Sequence, residues 1–296
     1  MKVGIYGQFY HQNTEKYLHI LLEALSKKGA SIFIEKNFYD ILKQRDTIDS
    51  RILSCNTFET LDADYQLFFS IGGDGTILKA VTFVKNSGIP IVGINLGRLG
   101  FLATIQKEDI QTMLHQILEG KYSISERSLL TVSMYPKQND FNTLNFALNA
   151  VAVNRRNTSS MIQVETWIND NYLTSYWSDG LIVATPTGST GYSLSCGGPI
   201  IEPSAKNFLL TPIAPHNLSA RPLIVPDTAV LTLKVSGRED SYLLSLDSRT
   251  STVANETKVI IKKADFKIKL LQIEEDSFIQ TLRKRLLWGE DKRNQF

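Results

Sequence analysis

The chain has 296 residues, of which 43% are hydrophobic and 21% charged, and its mean hydropathy is −0.10. This is ordinary globular composition, which excludes a disordered chain, and at roughly 150 residues per domain it predicts two domains with sizeable cores. With 32 Lys and Arg against 30 Asp and Glu, the net charge of +2 provides no electrostatic excess for tracking a nucleic acid and is compatible with a small phosphorylated ligand.

The amino terminus, Met1 to Gly7, reads as a folded first strand with its apolar run at Val3–Tyr6. Tyr17–Ala30 follows with Leu18, Leu21, Leu22 and Leu25 at helical spacing, then Ser31–Glu35 as a β-rich stretch. Tyr65–Ile71 reads as a buried strand, Thr76–Lys85 as an amphipathic helix through Ile77, Ala80, Val81 and Val84, and Ile89–Ile94 as another short strand. The alternation predicts an α/β domain with a parallel sheet.

From about Ser125 the texture changes to β-rich segments at Ser128–Met134, Leu148–Val153, Ile162–Ile168, Gly180–Ala184, Val230–Val235 and Lys258–Lys263. A second, β-rich domain is expected. Ser277–Trp288 regains helical spacing through Phe278, Leu282, Leu286 and Leu287, and Gly289–Phe296 reads as a frayed polar tail. The expected division is an α/β phosphate-binding domain over residues 1–122, joined by a returning last helix in 270–296, and a β-rich domain over 123–269. No run approaches the ~20 apolar residues of a bilayer span, and Cys55 and Cys196 are too few for a disulfide framework or a cysteine-rich zinc site. A cytoplasmic protein without a membrane partner is expected.

Between a strand and a helix stands Gly72-Gly73-Asp74-Gly75-Thr76. Three glycines let backbone N–H groups approach oxyanions, and the incoming helix amino terminus favours negative charge. The loop lacks both the Lys-Ser/Thr ending of a Walker sequence and the dinucleotide G-x-G-x-x-G spacing. Asp74 would repel phosphate unless a cation intervenes or the carboxylate takes a proton from an attacking hydroxyl, and both cases point to phosphoryl transfer. The plainer reading makes this a tight turn with Asp74 as a helix N-cap.

The second constellation runs from Ser178 to Ile200, where Asp179 and a hydroxyl-rich, glycine-punctuated turn bracket the apolar Gly180–Ala184. Its neutral donors and acceptors suit a base and ribose, with Tyr192 offering an aromatic face and Thr187, Thr190 and Ser195 orienting hydrogen bonds. A polar turn around a buried tyrosine explains any six of these residues but not the whole stretch.

These blocks, together with Gly93–Leu102, Leu148-Asn149-Ala150-Val151 and Pro212–Pro222, resemble the NAD kinase family over nearly the full chain. The resemblance implies transfer of the ATP γ-phosphoryl group to the 2′-hydroxyl of the adenosine ribose of NAD, giving NADP and ADP with a divalent metal, Mg2+ expected. It implies Asp74 as general base and Gly72, Gly73, Gly75 and Thr76 around the phosphates, with Lys79 one helical turn on either facing phosphate or solvated. Asn149, Thr187, Thr190, Gly191 and Ser195 resemble contacts to the adenosine half, with Tyr192 beside it; Gly75, Ser193 and Leu194 count among the substrate-binding residues, and Asp179 resembles the acceptor for the nicotinamide end. Ala214 matches a segment that in this family often reaches a ligand on a neighbouring subunit, so a homo-oligomer, dimer or tetramer, is expected.

Three departures touch this substrate set. Ala150 stands where the family usually has Glu, Trp177 where relatives often place a basic residue near the product phosphate, and Gly191 where Ala is common. Asp247-Ser248-Arg249 also varies a frequent Asp-Gly turn. Two alternatives stay open on the residues alone: a dinucleotide-binding sensor of low activity, motivated by Ala150 and Trp177, and a lipid or sugar kinase sharing the Gly-Gly-Asp loop. His11, His19, His115 and His216 show no metal-ligand spacing. Arg221 reads as a phosphate contact or an ion-pair partner, and Arg283, Lys284 and Arg285 as a solvated face of the last helix.

Overall fold

The computed structural model describes residues 1–8, 14–44, 50–103, 105–138, 141, 143–157, 160–273 and 277–288. His11 and the tail Gly289–Phe296 lie outside them. The chain forms two compact units, Met1–Glu126 with the segment from Ile268 onward, and Arg127–Lys267.

The first unit begins with β1 (Lys2–Gly7), α1 (Thr14–Lys27), β2 (Ser31–Glu35), α2 (Lys36–Lys43), α3 (Ser50–Leu53) and β3 (Asn56–Phe58). It continues with β4 (Leu67–Gly72), α4 (Asp74–Val84), β5 (Ile91–Asn95), β6 (Ile105–Gln106) and α5 (Ile110–Leu118). The strands pair in the order β3-β2-β1-β4-β5, all parallel. Helix α1 starts at Thr14 and stops at Lys27, earlier than the apolar spacing predicts. Gly29 takes a left-handed φ of 67°, and the Ala30 N–H donates back to the Leu25 carbonyl, a glycine stop that closes the last turn. Helix α2 has a buried acidic cap in place of a Ser, Thr or Asn: the Glu35 carboxylate accepts the Phe38 N–H at 2.9 Å. Leu18, Leu21, Leu22 and Leu25 of α1 pack with Val3, Ile5, Phe69 and Val92 of the sheet in one core.

The strand order reverses between β1 and β4, because β2 and β3 extend one way from β1 while β5 extends the other. In open α/β sheets the crevice beyond the carboxyl ends of strands at such a reversal is where ligands bind. Those ends are Gly7-Gln8 and Gly72-Gly73.

The second unit holds most of β7 (Ser123–Tyr135), then β8 (Phe146–Ala147), β9 (Ala150–Asn154), β10 (Ile162–Ile168), β11 (Asn171–Ser178) and β12 (Gly180–Ala184). A 3-10 turn at Thr187–Thr190 and the one-turn α6 (Tyr192–Ser195) lead to β13 (Asn207–Ile213), β14 (Leu223–Pro226), β15 (Leu231–Gly237), β16 (Ser241–Leu246) and β17 (Arg249–Ala254). The long β18 (Lys258–Gln272) follows, its residues from Ile268 belonging to the first unit, and α7 (Phe278–Leu286) closes the described fold. One antiparallel sheet runs β14-β13-β12-β9-β16-β17, and β11-β10-β15-β18 pair antiparallel in sequence. Val151, Leu181, Leu210 and Leu244 of the first sheet share a core with Val164, Leu233, Val235 and Val259 of the second, as in a sandwich.

Strand β12 is buried along its whole length. Leu181 and Val183 face the sandwich core, while Ile182 and Ala184 face a second cluster with Leu209 and Ile201. The hydroxyl-rich segment after β12 lies over that second face, which is why this strand reads as a continuous apolar run and not an alternating one.

Candidate active site

In the first unit Asp74 is the first residue of α4, and Gly73, extended at φ −105° and ψ −166°, is the N-cap with no side-chain cap. The plainer reading of Asp74 as N-cap is therefore overturned. The carboxylate turns away from its own helix: Oδ2 accepts the Phe101 N–H at 2.8 Å, and Oδ1 accepts those of Leu102 and Ala103 at 3.0 and 3.1 Å. An ionised carboxylate offers about four lone-pair sites, so one on Oδ2 stays open to a further donor. The donor loop is shaped by Asn95, whose Oδ1 accepts the Gly97 N–H at 2.9 Å while its Nδ2 donates to the Arg98 carbonyl at 2.7 Å. Gly100 closes it, because a Cβ there would stand 2.0 Å from Asp74 Oδ1.

Gly73 and Gly75 are exposed with open space where a Cβ would project. Backbone N–H groups at this uncapped helix start are thus accessible to an anion. Gly72 has a φ of 155°, and a Cβ on it would meet Thr76 Oγ1 at 2.1 Å, so only glycine fits. Thr76 is 3% exposed and its hydroxyl donates to Gln8 Oε1 at 3.5 Å, while Gln8 Nε2 donates to the Tyr6 hydroxyl at 3.2 Å. The Thr76 side chain thus points inward, and Lys79 is exposed farther along the helix. Gln8 was not singled out from sequence. Its signal is positional: it directly follows β1 at the strand-order reversal.

In the second unit the nucleoside candidates are organised by Asp247. Its carboxylate accepts the N–H groups of Leu148 and Asn149 at 2.8 Å each and of Ala150 at 3.0 Å. Burial pushes this carboxyl upward, against the opposing pull of those three donors and of the Arg249 guanidinium. Arg249 donates to the Leu144 and Phe146 carbonyls, so the turn grips segment 144–150 through both its donors and its acceptors. The Thr185 hydroxyl donates to the Leu148 carbonyl at 2.6 Å and accepts the Gly188 N–H at 3.1 Å. Gly188 lies against the Asn149 carbonyl, where a Cβ would come within 2.0 Å. The Asn149 loop and the Thr187–Thr190 turn are therefore one assembly.

Within it, Asn149 Oδ1 and Thr187 Oγ1 are buried without a hydrogen-bond partner, which is costly unless a ligand or water supplies one. Thr190 donates to the Thr187 carbonyl at 3.3 Å, and Gly191 and Ala150 are half-buried. Tyr192 is 50% exposed and Ser195 exposed, with Leu194 half-buried between them. Ser193 differs from its neighbours: it is buried and its hydroxyl pairs with that of Thr211 at 2.8 Å. Asp179 Oδ2 lies 2.8 Å from Arg155 Nη2, both side chains being about 30% exposed, and the exposed Trp177 offers its carbonyl to the His216 N–H. Ala214 is exposed with a left-handed φ of 43°. Arg221 caps its own loop, its Nη1 donating to the Leu218 and Ala220 carbonyls.

Comparison with known families matches residues 3–122 to the ATP-NAD kinase N-terminal domain and residues 148–273 to the ATP-NAD kinase C-terminal domain. The chain belongs to the ATP-NAD kinase family. Relatives named NAD kinase include one from Christiangramia forsetii, 55% identical, and one from Flavobacterium johnsoniae, 51% identical, each alignment covering 99% of this chain and 100% of the relative. Among solved structures, a family member from Archaeoglobus fulgidus in complex with ATP matches with TM-score 0.73 and 25% identity, over 98% of both chains. Yeast NADH kinase complexed with NADH shares the fold at TM-score 0.84 and 24% identity, over 100% of this chain and 90% of the other. The family's two conserved-domain models thus place the Asp74 loop in the N-terminal match and Asn149, Thr187 and Asp247 in the C-terminal one.

Proposed function

We propose that this chain transfers the γ-phosphoryl group of ATP to the 2′-hydroxyl of the adenosine ribose of NAD, giving NADP and ADP. The observation that carries the reading is the fixed carboxylate of Asp74 beside an uncapped, glycine-flanked helix start. The glycine N–H groups and the helix dipole hold the donor phosphates, with Lys79 as a nearby cation. Asp74 accepts the proton from the ribose 2′-hydroxyl as the oxygen bonds to the γ-phosphorus and the bond to the ADP oxygen breaks. Its three backbone donors fix the direction of the remaining lone pair, so little reorganisation is needed when the hydroxyl arrives.

Asn149 and Thr187 supply the unpartnered polar atoms that a nucleoside would satisfy, Tyr192 lies along it, and Asp179 accepts from the nicotinamide carboxamide. Ala214 reaches toward a ligand on a second copy in a homo-oligomer, dimer or tetramer, and the protein works in the cytoplasm. Among the described residues no three His, Cys, Asp or Glu side chains converge as a metal cage. A cation of the Mg2+ type keeps its waters and is held largely by substrate phosphates with one or two carboxylates. Asp74 is the carboxylate at that loop, and the cation would neutralise charge on the migrating group.

The test is NADP formation by Asp74→Asn under saturating ATP and NAD. The variant should lose about 10²–10⁴-fold in kcat while keeping NAD affinity within a few-fold. Near-normal turnover would remove Asp74 as the base.

A further inference from the structure

The last helix meets the loop that holds Asp74. Helix α7 is anchored by Thr281 and Leu282, which are buried. Arg283, Lys284 and Arg285 follow and all three are exposed, yet they do not share one face. Residues three and four apart lie together on a helix. Arg285, four positions after Thr281 and three after Leu282, therefore belongs to the anchored face, and neither Arg283 nor Lys284 has that relation to both. The Arg285 guanidinium carbon lies over the Phe101 ring, 5.9 Å from its centroid, within the range of a cation–π contact.

Phe101 is one of the three donors that fix Asp74, and the three are not held alike. Leu102 and Ala103, whose N–H groups donate to Oδ1, have side chains only 6% and 1% exposed. Phe101, whose N–H donates to Oδ2 at 2.8 Å, is half-buried, and Gly100 before it has no side chain to pack. Oδ2 is also the oxygen with a lone pair left for a further donor. The aim of that lone pair depends on where the Phe101 backbone stands, and the aromatic ring is the handle on that backbone.

We propose that Arg285 is a positioning residue: its guanidinium, laid on the Phe101 ring, keeps the Phe101 N–H on Asp74 Oδ2 and so aims the carboxylate at the acceptor hydroxyl. The inference rests on the reading of Asp74 as the base that takes the ribose proton. Acting through Phe101, Arg285 changes the orientation of the base and not the binding of either substrate, so its effect falls on kcat.

The test is NADP formation by full-chain variants at saturating ATP and NAD, with both Michaelis constants measured. Arg285→Ala should lower kcat about three- to fivefold, the scale of an exposed cation–π contact, with both constants within about twofold. Arg285→Lys keeps a cation over the ring and should recover most of the wild-type kcat. Phe101→Leu should cost a similar factor, and Arg285→Ala added to it should cost almost nothing more, because the two residues act through one contact. Arg283→Ala, in the same basic run but off that face, should leave kcat unchanged. Wild-type kcat in Arg285→Ala or Phe101→Leu would overturn the proposal, as would full additivity of the two losses or an equal loss in Arg285→Lys or Arg283→Ala. A higher KM for ATP at unchanged kcat would overturn it too, making Arg285 a phosphate ligand. Asp74→Asn distinguishes the two failures: normal turnover in that variant removes the base itself, whereas an inactive Asp74→Asn beside a fully active Arg285→Ala removes only the role of Arg285.

Discussion

Gly100→Ala tests the reasoning about Asp74 without touching the carboxylate itself. Gly100 needs no left-handed backbone, so alanine is strained there only by space. Its Cβ would lie 2.0 Å from Asp74 Oδ1, 2.6 Å from Cγ and 2.9 Å from Oδ2, and real Cβ contacts essentially never fall under 3.0 Å. The loop or the carboxylate must therefore move by about 1 Å, and a misplacement of that size at a reacting group costs on the order of 10² in rate. The same movement stretches the bonds from Phe101, Leu102 and Ala103, and overpacking of this kind typically costs about 1–3 kcal/mol of stability. We expect kcat to fall about 100-fold, some 2.7 kcal/mol in the barrier, with both Michaelis constants within about threefold if the effect lies in proton abstraction. The assay is NADP formation read by an NADP-specific dehydrogenase at saturating substrates, with a thermal melt to show that the variant is folded. A folded variant with kcat within twofold of wild type would refute the claim that the 97–103 loop sets the carboxylate.

Two further substitutions separate folding from ligand binding. Gly75→Ala meets nothing within 4 Å and lies within α4, where alanine is favoured by about 1 kcal/mol; the melting temperature should hold or rise while KM for ATP increases about tenfold, and an unchanged KM would remove Gly75 from the phosphate cradle. Asp247→Asn puts an amide where a carboxylate accepts three N–H groups, leaving at least one buried donor unmet at a cost of about 1–3 kcal/mol; a lower melting temperature and a KM for NAD at least fivefold higher are expected, and wild-type NAD kinetics would show that the Asp247 clamp does not position Asn149.

Where local pattern and tertiary environment agree, elements were legible in the sequence. Ser31–Glu35, Ile162–Ile168 and Gly180–Ala184 match their strands residue for residue, because β propensity and burial coincide there. The helix α2 was not legible, since its cap is a buried Glu35 that sequence rules do not mark as a helix start. Strands β16 and β17 were also missed, because the one-face burial of Ser241–Leu246 is decided by its partners in the sheet and the tight turn at Asp247 carries no glycine. In the site, Asp74 and its glycines were visible as a motif, and the hydroxyl-rich turn was visible as composition. The inward turn of the Thr76 and Ser193 hydroxyls was not, since a hydroxyl reads alike whether it meets a ligand or a buried neighbour.

The sequence by itself determined the two-unit plan, the glycine loop after an apolar strand and the residue types gathered after β12, because periodicity, turn chemistry and composition are local properties. Only the tertiary structure decided which donors meet which acceptors. The grip of residues 101–103 on Asp74 spans 27 to 29 positions of chain, and that of Asp247 on residues 148–150 spans 97 to 99. Contacts between residues so far apart are set by sheet register and strand order, and no short stretch of sequence encodes either.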